Sequence, residues 1–474
     1  MEKASRGPSL GRALDGLREP MAPKDALLLA MALTLLRHEA ESEESDEWGH
    51  GTRARDAWGT LATGGWWRDP YELPHIIRSG LDAWESRHVR LENLPQLADV
   101  RAHQLVPLIE WVTASPDPVT LFEECLRHTQ TTGRGGNYYT PPDIAHLLIE
   151  LMEPRSGESV YDPVCGSGGF LLQAHEYVEA VDGNPHLGLY GQDVSRTAVQ
   201  TAAMNLSVHG AEARLQGPSS TLVDDRFPDQ TFDVVVANPP FNQSGWDDRE
   251  SRYHDPRWRY GPPPAGNANF AWAQHVVSKM SRTSSGRGAI LLPTGAASGA
   301  KAGERDIRVR MLEDDVLSCV VELPAGLVPH VRNPVSLWLF TRSKESHRYW
   351  GSIDRSGQLL LVDARETALT VGRGRRAVPM EARERIAAAF AAWRGAEGAG
   401  PYEDVPGWCR SVSLQEIAER KHDVLPSHHV GASIAETEEV SGEGRIADLT
   451  DELYELFAKS HRLEEELRDL LGKL

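Results

Sequence analysis

The stretch from Asp233 to Ser244 reads DVVVANPPFNQS. Its β-branched run predicts a central strand that ends at Asn238. Open α/β sheets bind ligands at the carboxyl ends of their strands. Pro239 and Pro240 carry no backbone N–H and stiffen the chain. They hold the Asn238 side chain and the Pro239 carbonyl as neighbouring acceptors. Two acceptors side by side suit a planar amino group with two hydrogens, and Phe241 offers a stacking face for a ring. An exocyclic adenine amine is a poor nucleophile, because its lone pair is delocalised into the ring. Paired acceptors favour a more tetrahedral nitrogen and expose that lone pair. No strong base is needed before attack, since the proton can leave after methyl transfer. Positioning and electrostatics then supply most of the rate. In a duplex the base must flip out at a cost of a few kcal/mol. Stacking on Phe241, worth roughly 1–3 kcal/mol, offsets part of this. A Pro-Pro pair alone would mean only a rigid turn; Asn-Pro-Pro-Phe at a strand end is far more specific.

A second stretch, Asp162 to Phe170, reads DPVCGSGGF. Gly166, Gly168 and Gly169 allow a tight turn between a strand and a helix, and a close approach of ligand to backbone. A GxGG turn alone is weak evidence. It lacks the third glycine of the dinucleotide fingerprint, and no GKS or GKT marks a triphosphate loop. Asp193 closes the next strand, in LYGQDVS. An acid there can accept hydrogen bonds from both ribose hydroxyls of an adenosine-containing cofactor. It can equally cap the helix that begins near Ser195. Combined with the glycine turn, the cofactor role leads.

The elements that must position these residues follow from periodicity. Residues 1–22 look like a flexible tail. Residues 23–130 suggest a helical domain that opens with ALLLAMALTLL (26–36), a run too short to span a bilayer. TTGRGGNYYTPPD (131–143) reads as a loop, followed by a helix with Ile144, Leu147, Leu148 and Leu151 on one face. From 157 strands alternate with helices, which predicts βαβ units and a doubly wound α/β domain. The catalytic part runs over 131–350 and a C-terminal extension of short elements over 351–440. Beyond SGEG, residues 445–474 carry a heptad-like stripe from Ile446 to Leu474, the signature of a coiled-coil or partner-docking helix. Cys125, Cys165, Cys319 and Cys409 are scattered without metal-ligand spacing, which points to free thiols and no metal. The amino-terminal residues lack a signal-peptide layout, so the cytoplasm is the expected location. A formal net charge of -19 argues against a protein that coats nucleic acid by itself. It leaves room for a local basic cleft or a partner that supplies the grip.

Taken together, NYYTPPD, DPVCGSGGF, YGQD and NPPF resemble the adenine-N6 DNA methyltransferases, and most closely the modification subunits of type I restriction-modification systems. WAQHVV, RGAILLPTG, IRVRMLEDD and VVELPAGL add to the likeness, which runs from about 110 to 390. The resemblance implies a class I S-adenosylmethionine-dependent (Rossmann-like) methyltransferase domain, flanked by an N-terminal helical domain and a C-terminal coiled-coil-like helix. It implies S-adenosyl-L-methionine as cofactor. Tyr139, Thr140 and Pro141 match the family motif that contacts the cofactor's methionine end. Asp162, Gly166, Ser167, Gly168 and Phe170 match its main cofactor loop, and Asp193 the ribose-binding acid. Asn238, Pro239 and Phe241 match its catalytic tetrad. The cofactor motifs precede the catalytic one, as in the family's gamma arrangement. Three places depart from the pattern. Pro218 stands where the family usually has an acid that contacts the cofactor adenine, with Ser219, Ser220 or backbone groups as possible substitutes. HVRNP (330–334) is unusually charged, and the N-terminal region matches poorly.

No separate target-recognition domain is visible. Trp246, Arg259 and Tyr260, in the loop that leaves the tetrad, are candidates for contact with DNA, or could cover the empty site. Arg373, Arg375 and Arg376 are candidates for phosphate contact, though a solvated turn explains them nearly as well. The expected partners are DNA, a specificity subunit and possibly a restriction subunit, with self-association through the terminal helix as a further option and no membrane. The expected function is methylation of adenine N6 in DNA within a restriction or phage-defence system. The alternatives are a catalytically weak or inactive scaffold of the same fold, and an amine methyltransferase acting on RNA or protein.

Overall fold

The computed structural model describes residues 9–19, 21–42, 50–64, 72–91, 100, 102–132, 140–183, 185–247, 254–328, 333–371 and 375–431. Tyr139, Arg373, the 330–334 run in large part and the heptad stripe from Ile446 lie outside these residues. The N-terminal part comprises helices α1 (Leu10–Asp15), α2 (Pro23–Glu41), α3 (His50–Ala62), α4 (Leu73–Arg87), α5 (Ala102–Ala114) and α6 (Pro118–Thr132). α2 is apolar all round because it is the central helix of this bundle: every residue from Ala26 to Leu36 is buried. Among the described residues no helix is long and apolar enough to cross a membrane. The expected tail up to residue 22 is corrected in part. Leu10, Ala13, Leu14 and Leu17 recur at helical spacing and are buried in the same core. That core also takes in Ala203, Met204 and Val208 of the following domain.

The α/β part begins with α7 (Pro142–Met152). There follow β1 (Ser159–Asp162), α8 (Gly169–Asp182), β2 (Gly188–Gln192), α9 (Arg196–Val208), β3 (Ala213–Gln216) and β4 (Val234–Ala237). After a long loop come α10 (Asn269–Lys279), β5 (Arg287–Pro293), α11 (Gly295–Ser298), α12 (Ala302–Glu313), β6 (Leu317–Leu323) and β7 (Val335–Thr341). β8 (Gln358–Asp363), the hairpin β9 (Leu369–Val371) and β10 (Arg375–Ala377), α13 (Met380–Arg394), β11 (Cys409–Ser413) and α14 (Leu414–Glu419) complete it. The main sheet has the order β11-β8-β6-β7-β5-β4-β1-β2-β3. β7 is antiparallel to both of its neighbours, and β11 is antiparallel to β8. The expected boundary at 350 therefore runs through the sheet, because β8 and β11 belong to it. Of the Arg-rich run at 372–376, Arg375 and Arg376 lie on β10, which pairs antiparallel with β9.

Both faces of the sheet are covered, so the central strands are apolar throughout. Val160, Val234 and Val236 point into one core, and Tyr161, Val235 and Ala237 into the other. β1 pairs in parallel with β2 on one side and β4 on the other. Chain order reverses at β1, which makes the carboxyl ends of β1 and β4 the switch point where a ligand cleft opens.

Candidate active site

Asp162, Asp193 and Asn238 stand at or just past the carboxyl ends of β1, β2 and β4, which are adjacent strands. The cofactor-side loop is built on backbone geometry. Gly166 and Gly168 have φ of 53° and 82°, a left-handed conformation that a side chain would strain. A Cβ on Gly168 would also stand 3.3 Å from Cβ of Ala202, so glycine lets the turn pack against α9. Asn205, buried in α9, donates through Nδ2 to the Ser167 carbonyl at 2.9 Å. Phe170 is buried in the core below the loop.

Asp193 locks this loop to the end of β2. Its Oδ2 accepts from the Gly166 N–H at 3.0 Å and its Oδ1 from the Ser195 N–H at 2.7 Å. The cap of α9 is a different residue: the Ser195 hydroxyl accepts from the Ala198 N–H. Of the two roles open to Asp193, the helix cap is thus already taken. Each carboxylate oxygen keeps a lone pair for a further donor. Asp162 is 2% exposed, and its Oδ1 accepts from the Val164 N–H at 2.9 Å. Burial pushes its carboxyl up to about 8; the Val164 N–H opposes this, and the nearby Asp193 adds to it. Asp193 is also raised by burial, against the N–H groups of Ser195, Gly166 and Val194. Two closely placed acids in a buried cleft favour a cationic ligand.

The end of β4 is neutral. Asn238 is 5% exposed and donates through Nδ2 to Thr140 Oγ1 at 3.0 Å. That bond turns the amide oxygen away from Thr140 and leaves it as an acceptor. Pro141, the next residue, is buried as the N-cap of α7. Pro239 is buried, and Phe241 is half-buried against the core. The residue after Phe241, Asn242, has φ of 53°. Its N–H donates to Asn269 Oδ1, and Asn269 Nδ2 donates back to Asn242 Oδ1. This pair clamps the turn that carries the tetrad onto the first residue of α10.

A family model described as N-6 DNA Methylase matches residues 120–439. The chain belongs to that family. It is 35% identical over 351 residues to the type I restriction enzyme HindI methylase subunit of Haemophilus influenzae, covering 73% of this chain and 76% of that one. It is 31% identical over 356 residues to the MjaIX methylase subunit of Methanocaldococcus jannaschii, covering 73% of this chain but 61% of the relative. The crystal structure of the type I restriction-modification methyltransferase subunit from Streptococcus thermophilus shares the fold, with a TM-score of 0.66 at 20% identity over 89% of this chain and 98% of that one.

In this member of the N-6 DNA Methylase family, other expected residues lie elsewhere. Trp246 and Tyr260 are 3% exposed, with their rings inside a core cluster beneath the post-tetrad loop. Trp246 packs edge-on against Trp258, and the Tyr260 hydroxyl donates to Asp314. As candidates for DNA contact these two are corrected: apolar rings in this loop form its own small core. Arg259 is exposed and paired with Asp314 at 2.7 Å. Arg376 donates to the Ala325 carbonyl at 3.1 Å from the hairpin, and only the backbone of Arg375 is described. At the adenine-side slot, Pro218 has no side-chain acceptor. The Ser219 hydroxyl, one of the expected substitutes, is turned inward onto Asp224.

Asn205, Asn269 and Arg257 are the residues that sequence reasoning missed. Arg257 donates to the Thr221 and Leu222 carbonyls at 2.9 and 2.6 Å, while the Thr221 hydroxyl donates to the Pro163 carbonyl. It thereby ties the post-tetrad loop to the cofactor loop. The alternating asparagines of GNANF were the only visible signal for the clamp; nothing local marks Arg257 or Asn205.

Proposed function

We propose that this chain transfers a methyl group from S-adenosylmethionine to N6 of adenine in DNA, as the modification subunit of a type I-like restriction-modification or defence system. What supports this most is the hydrogen bond from Asn238 to Thr140, at the end of β4 and beside the paired acids of β1 and β2. It orients the amide oxygen as an acceptor for the amine. The cofactor fits the donor set present: a glycine turn open to close approach, a carboxylate with spare lone pairs for two hydroxyls, and a second buried acid, Asp162, whose ionisation a cationic ligand would favour. When bound, the cofactor supplies an electrophilic methyl group on a sulfonium.

Asp193 would receive the ribose hydroxyls and Asp162 would offset positive charge. Thr140 and Pro141 would flank the methionine end, with Tyr139 beside them. Asn238 Oδ1 and the Pro239 carbonyl would accept the two N6 hydrogens, and Phe241 would stack on the flipped base. Held by these two acceptors, the N6 lone pair would face the methyl group that the bound cofactor supplies, and the surplus N6 proton would depart to solvent after transfer.

Relatives named as methylase subunits of type I restriction enzymes support the assignment to a multi-subunit enzyme, with a specificity subunit that reads the sequence. A net charge of -19 is consistent with target reading by another chain. The test is methyl transfer from labelled cofactor to DNA by the chain co-expressed with its specificity subunit. Label should appear in N6-methyladenine and vanish with Asn238→Ala. Cofactor and DNA binding without any transfer would instead support the scaffold, for which the missing acid at Pro218 is the motivating feature.

A further inference from the structure

A cleft of about 410 Å³ is lined by four arginines, Arg257, Arg259, Arg282 and Arg342, and among the described residues by no Asp or Glu. Two of the four are matched at its rim: Asp255 pairs with Arg257 and Asp314 with Arg259. Arg282 is exposed and makes no hydrogen bond or ion pair with the described residues. Arg342 makes no ion pair among the described residues. Its Nε donates to the Ser281 carbonyl and its Nη2 to the carbonyls of Val277 and Met280, so the group is held rigidly and its Nη1 is left over. Those carbonyls belong to the end of α10, so Arg342 also covers the negative end of that helix. Among the described residues, Arg282 and Arg342 thus form no ion pair, on a chain of net charge -19, and the one carboxylate that acts on Arg342, Asp314, is already paired with Arg259.

The other polar groups of the cleft are already used. The Tyr260 hydroxyl donates to Asp314, the Gln274 amide donates to the Gly261 carbonyl and accepts from the Tyr260 N–H, and the Ser278 hydroxyl donates to the His275 carbonyl. Recognition falls to guanidinium N–H groups, whose planar fork matches the oxygens of a phosphate. The cleft is also distinct from the tetrad. Arg342 follows Thr341, which pairs with Arg287 at the start of β5, whereas Ala237, next to Asn238, pairs with Ile290 further along that strand. The two sites thus lie toward opposite ends of the sheet.

We propose that this cleft binds a phosphate-bearing ligand through Arg282, Arg342 and Arg259. Two unmatched positive charges suit one phosphate dianion or two backbone phosphodiesters. The phosphate comes from a nucleic-acid backbone or from a free nucleotide, and the site does not depend on the methyl-transfer assignment.

Calorimetric titration of the full chain with pyrophosphate tests it, with malonate as a carboxylate control. Pyrophosphate should bind with a Kd below about 1 mM, and Arg282→Glu should weaken it at least tenfold while S-adenosylmethionine binding is unchanged. Arg282 is exposed, so this replacement leaves the core intact, which circular dichroism would verify. A second arm measures binding of a 20-base-pair duplex against salt. A nucleic-acid source predicts that Arg282→Glu lowers the slope of log K against log [salt] by about 1 or more; a free-nucleotide source predicts pyrophosphate binding with that slope unchanged. Failure of pyrophosphate to bind, equal binding of malonate, or indifference of both ligands to Arg282→Glu would overturn the proposal.

Discussion

The two halves of the cleft are built on different principles. The side at β1 and β2, proposed to take the cofactor, carries acids held by backbone: Asp162 and Asp193 accept from the N–H groups of Val164, Gly166 and Ser195. The side at β4, proposed to take the base, is neutral and held by side chains: Asn238 leans on Thr140, and Asn242 and Asn269 clasp one another. A cation-binding half needs carboxylates, and burying two of them is costly unless N–H groups hold them. A half that presents acceptors to a neutral amine needs fixed dipoles and no charge. The difference teaches that pH should act on cofactor binding and leave the base side untouched.

The strongest way to separate the halves is Asn238→Ala. It should lower kcat for methyl transfer by about 10³ or more, with cofactor affinity within a few-fold of the parent by calorimetry. Loss of cofactor binding in this variant would mean the halves are not separable. Asp193→Ala should do the converse. Cofactor affinity should fall about 100-fold, since the carboxylate both binds ligand and ties down Gly166.

The pH response sharpens the comparison further. Asp162 binds its proton more tightly when folded than its ordinary value of 3.8 implies, at about 8. Its ionisation therefore opposes folding, and stability contributed by the protonated form is lost as pH rises from about 4 toward 8. Asp162→Asn should raise the Tm measured at pH 8.5, by the equivalent of about 2 kcal/mol or more, with the gain shrinking toward pH 4. Cofactor affinity of the parent should rise with pH up to about 8 and then level, and it should be weak and flat in Asp162→Asn. A parent profile that is flat from pH 6 to 8.5 would remove Asp162 from the cation site. The smallest effect is expected from Thr140→Val, which keeps shape but removes the acceptor for Asn238 Nδ2. Its kcat should fall about tenfold, in line with one buried donor left unpaired, without a shift in the pH profile.

The βαβ alternation made the strands around the candidate site legible, because β1, β2 and β4 carry its acids and its asparagine at or just past their own ends. The same local signals misled elsewhere. In SGWDDRESRYHDPRWRYGPPPAG the Trp, Tyr and Arg residues suggested a surface for DNA, yet Trp246, Trp258 and Tyr260 fold inward to make a core for the loop itself. Leu10 and Leu14 passed for a tail because a six-residue helix has too few turns to show its period.

What the sequence alone determined is the set of groups gathered at the adjacent strand ends: Asn-Pro-Pro-Phe at a strand end, a glycine turn, and an acid after the second strand. Each is a local pattern whose function depends on neighbours in the chain. Tertiary structure decided the rest. Asn238 finds Thr140 across 98 residues, Asn205 finds Ser167 across 38, and Arg257 finds Thr221 across 36. β8 and β11 join a sheet begun some two hundred residues earlier, and Arg282 and Arg342 meet in one cleft from either side of β5 and β7. No periodicity encodes such pairings, because they depend on where the sheet order brings distant segments together.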